Sequence, residues 1–319
     1  MTSLNEFHGL ELEDLTDEAV ATRYIAKLLI RGELALLLGA GVSMSNHLPS
    51  WKGLVRSCER AVGAVPPGAT EAVDPRTAPD FLEAMEDVRD KLGSNEAFLS
   101  TVEKALYTDD DQRLRKDYDD TVLQSMLLIA IGALVMPSTR GSITTVITLN
   151  FDDLLEWYLR VHGFSVMTVT ELPAYLRADY DVTVFHPHGF LPLVDSREAT
   201  DWLVLRHSEF VARLAKTSGE AWPNYLTSLF MTKRLLAIGS SMSDIDIEVQ
   251  LAAAHKERPD EGLPHGFVIG DQIAEPKQRQ LLKAGLVPVS LHNREAIPGF
   301  ILKICRQAAD LVETHRGGL

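Results

Sequence analysis

The sequence predicts an α/β fold, a Rossmann-like parallel sheet with helices on both faces and an inserted helical module. Three observations carry this. Short β-branched or leucine-rich apolar runs alternate with amphipathic helical patterns over the last third of the chain. The first such run, Leu34 to Leu38, stops at the closely spaced glycines of Gly39-Ala40-Gly41-Val42-Ser43. Between Phe81 and Met136 there is no convincing strand and only helical spacing. With 319 residues, 45% of them hydrophobic, the chain has enough apolar surface for a substantial core. We read residues 1–319 as one domain with a helical insertion at about 51–136.

Asp17 to Leu29 carries Ala21, Tyr24, Ile25 and Leu28 at helical spacing and leads into the first strand. After the glycine turn, Leu48-Pro49-Ser50-Trp51 starts a helix for which Ser50 is a suitable N-cap. Ala64 to Pro79 is rich in Pro, Gly, Ala and Thr and reads as a surface loop. Met126 to Met136 is the longest apolar stretch, too short to span a bilayer, and reads as a buried helix. From there the pattern alternates: strand Ile143 to Thr148, helix Asp152 to Leu159, strands Ser165 to Val169 and Val182 to Phe185, with Trp202 to Leu205 as a further candidate strand. The remainder predicts strand Leu235 to Ile238, helix Ile245 to Ala254, strand Gly266 to Ile269, helix Glu275 to Leu282, strand Val287 to Leu291 and helix Pro298 to Leu311. Consecutive parallel strands need crossovers, so helices cover both faces.

Composition narrows the function. A net charge of -14 argues against direct nucleic-acid binding, and the densest basic cluster, Arg113-Leu114-Arg115-Lys116, reads as a solvated helix face. Only Cys58 and Cys305 are present, outside any C-x-x-C pattern, so no disulfide framework or thiolate metal site is expected. A reducing cytoplasm is the simplest home. The acidic start of the chain lacks a signal-peptide pattern, and no membrane segment is expected.

In doubly wound sheets, ligands bind outside the carboxyl ends of the strands, so residues just after strands are where chemistry is expected. Four such segments stand out. Gly39, Ala40, Gly41 and Ser43 form a turn whose backbone N–H groups and hydroxyl could hold a pyrophosphate. The turn departs from G-x-G-x-x-G, because Met44 occupies the third glycine position. No acidic residue ends a second strand about twenty residues on, which weakens a hydride-transfer reading. Thr148, Asn150 and Asp152 follow the second strand; Asn150 or Asp152 could instead cap the next helix. His186-Pro187-His188-Gly189 offers two imidazoles. His188, beside the glycine, is the better placed to reach a cleft and handle a proton, and no further metal ligands stand nearby. Gly239, Ser240 and Ser241 form a second hydroxyl-bearing turn, and Asp244 could cap a helix or accept from a ribose hydroxyl.

Taken in this order, the four segments resemble the sirtuin family, over about residues 33 to 292. The resemblance implies that Gly39, Ala40, Gly41 and Ser43 lie along the phosphates of NAD, that Thr148, Asn150 and Asp152 reach the nicotinamide-side ribose, that His188 is catalytic, and that Gly239 and Ser241, with Ser240 adjacent, lie near the adenosine ribose. Two departures matter. The chain has two cysteines where zinc-ribbon sirtuins carry four, and Leu48-Pro49-Ser50-Trp51-Lys52 stands where those enzymes have a Phe-Arg pair. The pattern looks like the bacterial sirtuin-like NAD hydrolases that deplete NAD in antiphage defence. It implies NAD as substrate, no metal, and Asn150, Asp152 and His188 as the reacting set. It also implies a second component such as a HerA-type ATPase or a short Argonaute; and because depletion of NAD is lethal, such an enzyme is expected to be gated, by homo-oligomerisation or by a protein partner. Two alternatives stay open: an NAD-dependent protein-lysine deacylase, and a non-catalytic module binding NAD or ADP-ribose.

Overall fold

A computed structural model of the chain describes residues 4, 7, 9–65, 76, 78–107, 118–176, 179–193, 196–213, 221–257 and 263–317. Most of the expected loop between Ala64 and Pro79, and the basic cluster at 113–116, lie outside the described residues.

Seven strands form one parallel sheet: β1 (Leu34–Leu38), β2 (Thr145–Thr148), β3 (Val166–Val169), β4 (Val182–Phe185), β5 (Arg234–Ile238), β6 (Gly266–Asp271) and β7 (Leu286–Leu291), in the spatial order β3-β4-β2-β1-β5-β6-β7. The chain builds outward from β1 through β2 to β3 and β4, then crosses to β5 on the other side of β1. That reversal places the topological switch point between β1 and β5, where a crevice opens at the strand ends. The register pairs Leu38 with Thr148 on one side and with Ile238 on the other. The glycine turn, the Asn150 segment and the Gly239 turn therefore all leave the sheet at one level.

Both faces of the sheet are covered, and β1 shows why its sequence is an unbroken apolar run. Leu34, Leu36 and Leu38 join one buried cluster, while Ala35 and Leu37 join another on the opposite face. On the first face lie α1 (Glu18–Ile30), α7 (Met126–Val135) and α13 (Ala296–Gly317), packed against one another through residues such as Ile25, Ile131 and Ile301. The side chain of Asp17 caps α1 by accepting from the N–H groups of Ala19 and Val20, both at 3.0 Å. The opposite face is covered by α10 (Ala221–Thr232), α11 (Ile245–Glu257) and α12 (Glu275–Lys283).

The glycine turn runs into the short α2 (Ala40–Met44), and the helical stretch then contains α3 (Trp51–Ala61), α4 (Ala78–Leu92), α5 (Asn95–Tyr107), α6 (Tyr118–Leu123) and α7. Ser50 caps α3, its hydroxyl accepting from Gly53 N–H at 3.0 Å. Leu54, Phe81, Met85, Phe98 and Val102 belong to the same buried cluster as Leu36, so these helices share the core of the sheet. α8 (Leu154–Val161) follows β2, and α9 (His207–Arg213) precedes α10.

One expected strand is absent. Trp202 to Leu205 forms no strand, because β4 is already paired on both edges, by β3 and β2, and offers no free ladder. The segment instead folds back on the loop after β4: Val204 N–H donates to His188 O at 2.7 Å, and Trp202 and Val204 pack against Phe185 and Trp222. Its apolar run fills a hole rather than a sheet edge.

Candidate active site

The turns after β1 and β5 are built against each other. Gly39 N–H donates to Ile238 O at 3.1 Å, and Gly41 N–H donates to Gly239 O at 2.8 Å. A Cβ on Gly39 would stand 2.6 Å from Ser240 Cα, and one on Gly41 would stand 2.8 Å from Gly239 Cα. Gly239 itself has φ +66°, a conformation that disfavours side chains. These glycines thus let two backbones touch at the switch point. The bonds also narrow the expected phosphate cradle. The N–H groups of Gly39 and Gly41 are engaged across the pair, and Val42 N–H is held by Gly39 O at 3.0 Å. A ligand at this turn would meet bare glycine surface instead of those N–H groups.

The Asn150 segment closes onto the same turn. Asn150 Nδ2 donates to Gly39 O at 3.1 Å and to Ser43 Oγ at 2.8 Å, and Ser43 Oγ donates onward to Asp152 Oδ2 at 2.6 Å. Because Gly39 O can only accept, the atom facing it is the amide nitrogen. Both amide hydrogens are thereby engaged, and Asn150 has its Oδ1 to offer a ligand. Thr148 is buried beneath, where its Oγ1 accepts from Asn150 N–H at 3.2 Å; it holds the turn and does not line the cavity.

Asp152 is a buried carboxyl, only 6% exposed, and its other oxygen accepts from Leu154 N–H at 3.3 Å. Burial pushes its pKa up from 3.8 to about 6; the Ser43 hydrogen bond works against this, and the neighbouring Asp153 adds to it. At neutral pH the group is mostly ionised, a negative charge in a buried position on the cavity wall. It therefore favours positive charge developing nearby.

The two histidines have separate places. His188 lines the cavity, next to Gly189, whose φ of +99° and close approach to Trp202 O demand glycine. His186 is fully buried behind it and does not line the cavity. Strand alternation does not separate them, since both lie beyond the end of β4; the turn at Gly189 does.

One cavity of about 900 Å³ gathers Gly39, Ala40, Gly41, Ser43, Asn150, Asp152, His188, Gly239, Ser240, Ser241 and Asp244. Sequence reasoning passed over other parts of its wall. Asp271 sits at the end of β6 and Lys277 on α12, with its ammonium donating to Met242 O at 2.7 Å. Asp271 obeys the strand-end rule and was legible; Lys277 depends on how α12 docks. From the other side, Phe81, Leu106 and Leu127 of the helical stretch give the cavity an apolar wall. Tyr107 ties that stretch to the site: its hydroxyl donates to Leu191 O at 2.5 Å, and Leu191 N–H donates to Phe151 O at 2.7 Å. Among the described residues there is no group of three or more His, Cys, Asp or Glu side chains that could hold a metal ion.

No curated protein matches this chain. Among solved structures, similar ones include one on the structural basis for the mechanism and regulation of Sir2 enzymes, at 16% identity and TM-score 0.45, covering 91% of this chain and 97% of that chain. A Sir2 homologue in complex with NAD is similar at 13% identity and TM-score 0.45, over 91% of this chain and 94% of that one. A mutant Sir2 homologue in complex with 2'-O-acetyl ADP ribose is similar at 15% identity and TM-score 0.44, over 92% and 98%. The part of the chain from the entrance of β2 into β7, residues 144–289, matches the family model of the SIR2-like domain.

Proposed function

We propose that this chain cleaves NAD+ at the nicotinamide–ribose bond, giving nicotinamide and ADP-ribose. The observation that carries the proposal is the linked set Asn150–Ser43–Asp152, which shares one cavity at the strand ends with His188. The SIR2-like match over residues 144–289 supports it, since that stretch contains Asn150, Asp152, His188 and the Gly239 turn. A cavity of about 900 Å³ suits a dinucleotide, lying in the upper part of the range of about 300–1,000 Å³ usual for ligand sites.

Nicotinamide leaves as a neutral base, so the barrier lies in the cationic, oxocarbenium-like ribose left behind. The Asp152 charge, working in a buried site, favours that cation. Asn150 Oδ1 accepts a hydrogen bond from the attacking water or from a ribose hydroxyl and so fixes its direction. His188 takes the proton that water releases as its oxygen bonds to the anomeric carbon. The ring nitrogen of nicotinamide keeps the electron pair of the broken bond, and no metal is required. Gly39, Gly41 and Gly239 let the pyrophosphate lie close to backbone, with Ser240, Ser241 and Asp244 toward the far ribose.

The proposal extends to setting. Depletion of NAD would be lethal unless gated, so we place the chain as a gated effector of antiphage defence in a bacterial cytoplasm, with a homo-oligomer or a partner such as a HerA-type ATPase or short Argonaute as the gate. We take it to act as one domain, the helical insertion being the surface for that contact. Among the described residues no helix is long and apolar enough to cross a membrane.

Product analysis of NAD+ incubated with the purified chain tests the reaction. The expected result is peptide-independent nicotinamide and ADP-ribose, with Asn150→Ala and His188→Ala each reducing turnover at least about 100-fold while remaining folded. Full cleavage by both variants overturns the assignment of residues. Formation of O-acyl-ADP-ribose only when an acyl-lysine peptide is added would overturn hydrolysis in favour of deacylation.

A further inference from the structure

Behind the cavity lies a buried ionisable pair that the mechanism above does not use. His186 is 0% exposed and Glu156, on α8, is 1% exposed. His186 Nε2 stands 2.6 Å from Glu156 Oε1, and its Nδ1 stands 3.1 Å from the backbone oxygen of Asn150. We infer that His186 is a positioning residue for Asn150, anchored by Glu156; as a statement about catalysis this rests on the proposed reaction, although its structural half does not.

The protons follow from the partners. A carbonyl oxygen only accepts, so Nδ1 carries a hydrogen and donates it to Asn150 O. At 2.6 Å one further proton lies between Nε2 and the carboxyl oxygen, whether written as imidazolium with carboxylate or as imidazole with carboxylic acid. In both forms the pair is neutral overall, which makes its burial tolerable. The ring packs on Phe190 with centroids 4.5 Å apart, and the backbone N–H of His186 donates to Val169 O at 2.9 Å, so both the side chain and its point of attachment are held.

The recipient of the Nδ1 bond is the residue whose aim matters. Asn150 is fixed through its N–H by Thr148 Oγ1, through its side-chain nitrogen by Gly39 O and Ser43 Oγ, and through its carbonyl by His186. The carbonyl bond is the one that fixes the peptide plane following Asn150. Without a donor there, the plane turns to find another, the Cα–Cβ direction turns with it, and the bonds to Ser43 and Gly39 lengthen. A misplacement of about 1 Å at a reacting group is enough to cost around 100-fold in rate.

A purely structural role would put the weight on the bond to Glu156, which ties α8 to the end of β4. Two conservative variants separate the roles. His186→Asn places an amide nitrogen where Nδ1 was and loses the Glu156 bond; His186→Gln reaches Glu156 as Nε2 does and loses the donor to Asn150.

The test measures kcat and KM for NAD+, thermal stability, and amide hydrogen exchange over residues 148–153 in both variants. The expected result is that His186→Gln loses at least about tenfold in kcat with little change in KM, and that exchange over 148–153 rises about tenfold. His186→Asn should keep kcat within about threefold and wild-type exchange there, despite the larger loss of thermal stability. Equal loss in both variants overturns positioning, as does wild-type kcat and exchange in His186→Gln. If the wild-type chain consumes no NAD+ at all, the proposed reaction fails, and the exchange data alone decide whether His186 positions Asn150.

Discussion

Replacing Asp152 by Asn should remove a cost to the folded chain that grows from acid to neutral pH, and should abolish the NAD+ cleavage proposed above. The carboxyl pays for its buried position: its pKa rises from 3.8 to about 6 in the folded chain, chiefly through burial. Between those two values the folded state holds a proton that the unfolded state has released, so stability from this group falls as pH rises through the window. Above about pH 6 the full cost is present; below 3.8 it is gone. At about 1.36 kcal/mol per pH unit, the gap corresponds to roughly 3 kcal/mol. Asparagine does not titrate. Its altered bonds to Ser43 and Leu154 add an offset that does not vary with pH, so the difference between variant and wild type isolates the carboxyl.

The assay is thermal or urea denaturation of both proteins from pH 4.5 to pH 8. The stability difference should move in favour of Asp152→Asn by about 2 kcal/mol over that range, most of the change lying below about pH 6. For a chain of this length that is a Tm difference of roughly 4 °C. Curves that stay parallel across the range would refute the reasoning, because they would mean that the carboxyl titrates alike in both states. A trend in the opposite direction would mean that the Ser43 hydrogen bond outweighs burial. In parallel, under the proposed mechanism NAD+ cleavage by the wild type should fall as pH drops through about 6, since protonation would remove the charge assigned to stabilising the ribose cation.

Two further substitutions or probes bear on other parts of the structure. Gly39→Ala drives a methyl group into Ser240 Cα and Gly239 O, contacts of 2.6 and 2.7 Å, so the paired turns must separate; a loss of at least about 1–3 kcal/mol in denaturation is expected, and wild-type stability would mean that the turns are not packed as described. Cys58 is buried and its thiol is pushed up to about 12, and burial raises Cys305 as well. A thiol reagent at pH 8 should therefore label the folded chain only as fast as it unfolds, and rapid labelling of either cysteine would contradict their placement.

Much of the fold was legible because buried parallel strands leave a coarse mark. Leu34 to Leu38 is apolar throughout, Val182 to Phe185 is apolar except for Thr183, and both end at turn residues, so their bounds could be read directly. Trp202 to Leu205 carries the same mark without being a strand. What distinguishes it is a property of other residues, namely that β2 and β3 already occupy both edges of β4. No local pattern reports whether an edge is free. The bond between the turns at Gly41 and Gly239 is hidden for a similar reason: glycine spacing announces a close approach but not whether a ligand or another backbone makes it.

The same limit explains how the site itself is divided. Asn150, Asp152 and His188 were legible because each follows a strand, and strand ends at a switch point converge whatever the details of packing. Glu156 follows no such rule, and His186, although it stands directly after β4, is buried away from the cavity. They are separated by 30 residues and meet only because α8 turns one buried face back toward the end of β4. Nor does composition flag them, since a glutamate on a helix and a histidine after a strand are ordinary surface residues in most sequences. Yet they are among the least exposed polar groups described, and they act on the backbone of the residue that sequence singles out. Groups that would touch substrate are thus announced by position along the chain, while groups that would aim them emerge only from packing. Substitutions at His186 therefore test whether the legible residues alone make the site.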